Sequence, residues 1–168
     1  MNKTKDVIGD IEKMYDLYAK PIYYYLLTIL KKKEDAEDVL HNLFLKISRL
    51  YENIKIDDVK GYLFVSARNE AMSFIQKNKR DVEKEDIDVQ MLKTTNKELL
   101  PAEDVEDLET ALLKLPLEQR EVVFMKEYQA LTFKEIASIL NIPEDTASSR
   151  YRYALVKLKK SLTRGNHG

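Results

Sequence analysis

Leu131-Thr-Phe-Lys-Glu-Ile-Ala-Ser-Ile-Leu-Asn-Ile-Pro-Glu-Asp-Thr-Ala-Ser-Ser-Arg150 decides how this chain folds. Thr132, followed three residues later by Glu135, is a capping box, which predicts a helix beginning at Phe133. Ile136, Ala137 and Leu140 then face inward, with Ala137 small where a second helix crosses. Asn141 tolerates the left-handed backbone that closes a helix. Ile142 plugs the turn into the core, and Pro143 is expected at the first position of the next helix. That helix places Ala147, Tyr151, Ala154, Leu155 and Leu158 inward. Its outward face carries Thr146, Ser148, Ser149, Arg150, Arg152 and Tyr153. A short helix, a tight turn and a second helix with a polar, basic face make the helix-turn-helix that enters the major groove of DNA. The plainer alternative is a helical hairpin with no ligand. The agreement of cap, small crossing residue, turn plug and basic face favours the helix-turn-helix.

Charge supports this reading once the chain is divided. The whole chain of 168 residues has a net charge of −1. Residues 1–80 hold 15 basic and 12 acidic side chains, a net +3. Residues 81–107 hold 3 and 10, a net −7, and residues 108–168 hold 10 and 7, a net +3. After Asp145 come Arg150, Arg152, Lys157, Lys159, Lys160 and Arg164, with no acid among them. Such a stripe suits a phosphate backbone, though basic residues also complement the C-terminal end of any helix.

Working outward, the whole chain reads as all-α: two small helical domains joined by a flexible acidic linker. Val7, Ile11, Met14, Tyr18, Ile22, Tyr25 and Ile29 form one apolar stripe, expected to bend or break near Pro21 and to end at Lys31–Lys33. A second helix puts Ala36, Val39, Leu40, Leu43, Phe44, Ile47 and Leu50 on one face. A third, from about Val59 to Lys79, turns Leu63, Phe64, Ala67, Ala71, Phe74 and Ile75 inward. Together they can bury one another as a small bundle over residues 1–80. Asp81 to Pro101 is dense in charge and holds no aromatic residue, so it is expected to be a linker. Helices resume near Asp104, with Leu108, Ala111, Leu112 and Leu115 on one face. Pro116 interrupts, and Leu117 to Tyr128 continues with Val122, Val123 and Phe124.

Several function classes are excluded. The chain has no cysteine, so disulfides, thiolate zinc sites and cysteine nucleophiles are out. His41 and His167 are too few and too distant for a metal cluster. Its 4 glycines form no phosphate-cradling loop. Pro21 to Leu30 is too short to span a bilayer, and the polar stretch Met1 to Asp6 is not expected to act as a signal peptide. No cofactor, no membrane insertion, no enzyme activity and a cytoplasmic location are expected.

The sequence resembles a bacterial RNA polymerase sigma factor of the extracytoplasmic-function (ECF) type, within the sigma-70 family. Leu115-Pro116, Gln119-Arg120-Glu121-Val122 and Phe133-Lys-Glu-Ile-Ala137 through Arg150 match its C-terminal promoter-reading domain. Asp35-Ala-Glu-Asp38-Val-Leu, Phe44-Leu45, Tyr62-Leu-Phe64 and Ala67-Arg-Asn69 match its N-terminal domain. The resemblance implies a partner, core RNA polymerase, a target, promoter DNA, and an anti-sigma factor as regulator. It gives residues 1–80 the docking and minus-10 roles and residues 108–168 the minus-35 role, with 81–107 threading into the polymerase. It also implies that Asp35, Asp38, His41 and Asn42 meet the polymerase, with Asp35 and Asp38 exposed. Asn69, with Lys60 and Arg68, would hold the minus-10 element, since a flipped base needs its edge hydrogen-bonded. The loop from Asn53 to Lys60, with Asp57 and Asp58, would complete that pocket. Thr132, Lys134, Thr146, Ser148, Ser149, Arg150, Arg152 and Tyr153 would meet the minus-35 element, through bases or phosphates.

The chain departs from the family at several positions. His41 and Asn42 replace a usual Gln and Glu, Ser48 stands near a usual Trp, Ala147 replaces Val, and Ser148 replaces Lys or Arg. The Ser48 departure is expected to loosen the local core. The Ser148 departure is expected to reduce affinity at the minus-35 element or to shift contact onto Arg152. Two rival readings remain at this point: a stand-alone helix-turn-helix transcription regulator, and a degenerate sigma-like interaction protein. The first usually dimerises to read paired half-sites, and no dimer helix is evident here.

Overall fold

A computed structural model describes residues 2–50, 58–78 and 102–165, with side chains described over 10–50, 58–78 and 108–163. Residues 53–57 of the expected base pocket, the segment 79–101, His167 and the side chains of Val7 and Arg164 lie outside that description. The chain divides into two compact units, residues 1–85 and 86–168. Among the described residues every regular element is helical.

The first unit holds α1 (Asn2–Leu30), α2 (Lys33–Leu50) and α3 (Val59–Asn78). Contrary to expectation, α1 runs through Pro21 without a break. Proline removes the hydrogen bond to the carbonyl four residues earlier. That carbonyl belongs to Leu17, which is largely exposed, so water can replace the lost donor. The stripe is otherwise as expected: Met14, Ile22, Tyr25 and Ile29 are buried. Lys31, at φ 66°, turns the chain left-handed and ends the helix. Ala36, Val39, Leu43, Phe44 and Ile47 pack from α2, and Leu63, Phe64, Ala67 and Ala71 from α3. Tyr25 tilts against Phe64, ring centroids 5.3 Å apart, and Tyr15 meets Phe44 edge-on at 5.0 Å. Leu50 instead is exposed, because it stands at the last position of α2.

The second unit holds α4 (Ala102–Lys114), α5 (Leu117–Val123), a π-helical turn (Phe124–Tyr128), α6 (Phe133–Leu140) and α7 (Glu144–Gly165). Residues 102–107, read as linker, are already the first turns of α4. The acidic composition that marked them as linker also suits a helix N-terminus. Ala111, Leu112, Leu115, Val123, Ala154 and Leu158 form the core, with Leu108, Tyr128 and Tyr151 against it. Leu155, expected inward, is 42% exposed. Positions 151, 154 and 158 hold the inward stripe of α7, and residue 155 falls to one side of it.

Candidate nucleic-acid interface

The turn between α6 and α7 forms as its residues dictate. The Thr132 hydroxyl accepts from the Glu135 amide at 3.1 Å, and the Glu135 carboxylate accepts from the Thr132 amide at 3.2 Å. Both halves of the capping box are present. The Thr132 hydroxyl also donates to Glu135 Oε1 at 3.0 Å, so the cap already engages the group expected to anchor a phosphate. Asn141 takes φ 54°, ψ 51°, and the Ile142 amide donates back to the Ala137 carbonyl at 3.0 Å. This left-handed closure is the one a C-terminal Asn or Gly supports. Pro143 sits one position earlier than expected. Its carbonyl accepts from the Thr146 and Ala147 amides, both at 3.1 Å, so it caps α7 rather than opening it.

The outward face of α7 is partly as expected. Arg152 and Tyr153 are exposed, while Thr146, Ser148 and Ser149 are half-buried. Arg152 Nη2 donates to Ser149 Oγ at 3.2 Å, aligning a cation and a hydroxyl along the helix. Arg150 is half-buried like Thr146, Ser148 and Ser149, and its guanidinium lies 3.8 Å from Glu118 on α5. Lys134 is exposed on the first turn of α6. Ala147 is fully buried where α7 meets its neighbours.

On the first unit, Asp38, His41 and Asn42 are exposed along one face of α2, with Leu45 beside them. Asp35 is not on that face. It is 9% exposed, because Asp35, Val39, Leu43 and Ile47 follow one another at four-residue spacing on the inward stripe. Apolar periodicity hides such a position, since it counts only apolar residues. Ser48 is exposed and donates to the Leu45 carbonyl at 2.7 Å, so the expected loosening of the core does not arise there. On α3, Asn69 is exposed, and Lys60 and Arg68 are half-buried. Asp58, expected in a base pocket, caps α3: its Oδ1 accepts from the Gly61 amide at 3.0 Å. An ion pair between Lys46 and Glu70 ties α2 to α3 next to Asn69.

Sequence reading missed the buried polar groups of the second unit. Glu109, Arg120 and Glu121 are all buried. Arg120 Nη1 donates to the carbonyls of Leu113 at 3.0 Å and Leu115 at 3.3 Å. Burial lowers the Arg120 pKa, and the Glu121 charge opposes that fall. Tyr128 is raised by burial first and by Glu109 and Glu127 next. Tyr151 is pushed up to about 12, chiefly by its hydrogen bond to Glu127. No local pattern could have paired residues 24 positions apart.

Residues 14–81 match Sigma-70 region 2, and residues 106–158 match Sigma-70, region 4. The chain is 30% identical over 158 residues to the ECF RNA polymerase sigma factor SigM of Bacillus subtilis, covering 92% of this chain and 96% of that one. It is 24% identical over 160 residues to SigX of the same organism, covering 89% and 81%. Its fold resembles that of the sigma factor RpoE of Bartonella quintana, solved with the anti-sigma factor NepR. That likeness has a TM-score of 0.70 at 22% identity and covers 92% of this chain and 97% of that one. It also resembles CnrH, solved with the cytosolic domain of CnrY, at a TM-score of 0.69 and 15% identity over 92% and 88%. Matches to both regions, in order and along nearly the full chain, do not favour a stand-alone helix-turn-helix regulator. The chain belongs to the sigma-70 family as an ECF RNA polymerase sigma factor, a subunit that binds core RNA polymerase and directs transcription initiation at promoters.

Proposed function

We propose that the two units divide promoter recognition between them. Residues 1–80 dock on core RNA polymerase and engage the minus-10 element. The second unit, which residues 108–168 were expected to form alone and α4 extends back to Ala102, engages the minus-35 element. The acidic segment between them threads into the polymerase.

The outward face of α7 carries this reading. Ser149 and Arg152 stand hydrogen-bonded, Tyr153 is 65% exposed beside them, and no acid follows Asp145. Arginine can take two acceptors of a guanine edge or grip a phosphate, and serine supports either. Lys134 adds a phosphate contact from α6. Arg150 adds a further cation at the edge of this face, 3.8 Å from Glu118.

Docking falls on Asp38, His41 and Asn42, whose side chains are exposed, and Asp35 supports them from below. Asn69 takes a minus-10 base edge, with Lys60 and Arg68 on the flanking phosphates. By analogy with the neighbour solved with an anti-sigma factor, such a factor holds this chain inactive in the cytoplasm.

Run-off transcription with purified bacterial core polymerase on genomic DNA tests the proposal. Wild-type chain should produce discrete transcripts. Asp38→Arg should abolish them with little cost in stability, since surface changes rarely matter to folding. Arg152→Ala should weaken binding to the minus-35 element by about 1–3 kcal/mol, at one base pair if it reads a base. Full activity of Asp38→Arg would refute the docking assignment. Unchanged binding by Arg152→Ala would remove Arg152 from the interface.

A further inference from the structure

Three residues brace α7, through its own Tyr151, from the side opposite its outward face. Tyr151 stands between Arg150 and Arg152, and its hydroxyl donates to Glu127 Oε1. Its ring meets Phe133 nearly edge-on, with centroids 5.4 Å apart and planes at 63°. Phe133 is the first residue of α6, and Lys126 Nζ lies 4.5 Å from its ring centroid. Lys126 and Glu127 both belong to the π-helical turn. Three elements therefore converge on one cluster.

The backbone around α6 requires such a brace. The helix is only eight residues long. It is entered after Ala130, at φ 53°, and left through Asn141, at φ 54°. Alanine in the left-handed region is disfavoured because its Cβ crowds the next carbonyl. Conformations of this kind persist only where neighbouring contacts over-determine them. The π turn also serves the cluster. Its wider winding rotates residues 126 and 127 away from where an α-helix would put them, and such turns recur near functional sites. Lys126 and Glu127 can then address α6 and α7 together.

We infer that Lys126, Glu127, Phe133 and Tyr151 are positioning residues for promoter reading. They set the angle of α7 against α6, and through it the base edges that Ser149, Arg152 and Tyr153 meet. This rests on the reading of α7 as the DNA-facing helix. Glu127 is an exposed acid within this brace. Its hydrogen bond to Tyr151 and its neighbour Lys126 give that acid a reason to be there. Orientation matters at this scale because hydrogen bonds to base edges weaken steeply with misalignment.

The test uses the full chain assembled with bacterial core polymerase. A random-sequence DNA library, enriched by the wild-type assembly, supplies the preferred minus-35 element as probe. Binding is then measured to that element and to a shuffled one, for Tyr151→Phe, Glu127→Gln and the double variant. Each single variant should lower the ratio of the two affinities by about fivefold to tenfold, and the double variant should be no worse than the poorer single. The salt dependence should not change, because no phosphate contact is lost. An unchanged ratio with a lowered melting temperature would reduce the cluster to a stabilising contact and overturn the inference. Independent, multiplying losses would overturn it too, since the two residues would not act as one device. Failure of the wild type to enrich any element would overturn the DNA-facing reading itself, and this inference with it.

Discussion

Replacing Arg120 with methionine should destabilise the second unit more than any surface change in it. The last carbonyls of a helix have no partner within the helix. At the end of α4, Arg120 Nη1 supplies one donor to both the Leu113 and Leu115 carbonyls, at 3.0 and 3.3 Å. Arg120 is buried, so water cannot take its place. Hydrogen bonds from a charged donor contribute about 1.5–3 kcal/mol each. Methionine fills similar space but forfeits both hydrogen bonds. Relief of a desolvated guanidinium offsets part of this loss. Two such bonds would sum to about 3–6 kcal/mol, and the lower end, about 3 kcal/mol, is expected here. In a unit of this size each kcal/mol moves the melting temperature by about 4–8 °C, so the fall should be about 12–24 °C. Thermal melting by circular dichroism measures the fall. Hydrogen exchange of the α4 and α5 amides assigns it to this unit. Arg120→Lys, which keeps the charge but not the geometry, should recover part of the loss. A cost below about 1 kcal/mol for the methionine variant would mean that the carbonyls find other donors, and would refute the reasoning.

Two further outcomes follow from single side chains. The Tyr151 phenol is held neutral in the folded chain up to about pH 12, against an ordinary value of 10. Its contribution to stability is therefore fully present below pH 10 and lost as pH rises through 12, so alkaline unfolding followed by circular dichroism should be shallower in Tyr151→Phe. Asp58→Ala removes the cap of α3 and should cost about 1 kcal/mol in a thermal melt, while Asp58→Asn should cost only a few tenths.

The helix-turn-helix was legible because its determinants are local. Thr132 and Glu135 stand three residues apart, Asn141 fixes its own φ, and Ala137 and Ala147 declare close packing by their size. The approach of Arg150 to Glu118, 32 positions earlier, and the cluster around Tyr151 escaped because no local pattern pairs residues so far apart. Pro21 misled because its cost depends on whether the Leu17 carbonyl faces water, which no one-dimensional pattern records. Reading Asp58 as a pocket residue hid its role as a cap, because capping and ligand binding draw on the same short acids.

Asp35 and Asp38 show where the candidate docking site and the fold separate. In sequence the two acids are equivalent: both lie in the first part of α2, both favour a helix N-terminus, and the family resemblance covers both. The structure divides them by a single rotation of the helix. Asp35 heads the stripe that continues through Val39, Leu43 and Ile47, so a bulky replacement there would disturb the core before it disturbed a partner. Asp38 shares its face with His41 and Asn42, so a replacement there changes charge at the surface and little else. Loss of polymerase binding in a double variant would therefore carry two causes at once. Asp38 alone separates recognition from folding. The departures at positions 41 and 42 lie on that same exposed face, so they carry no cost to the bundle beneath.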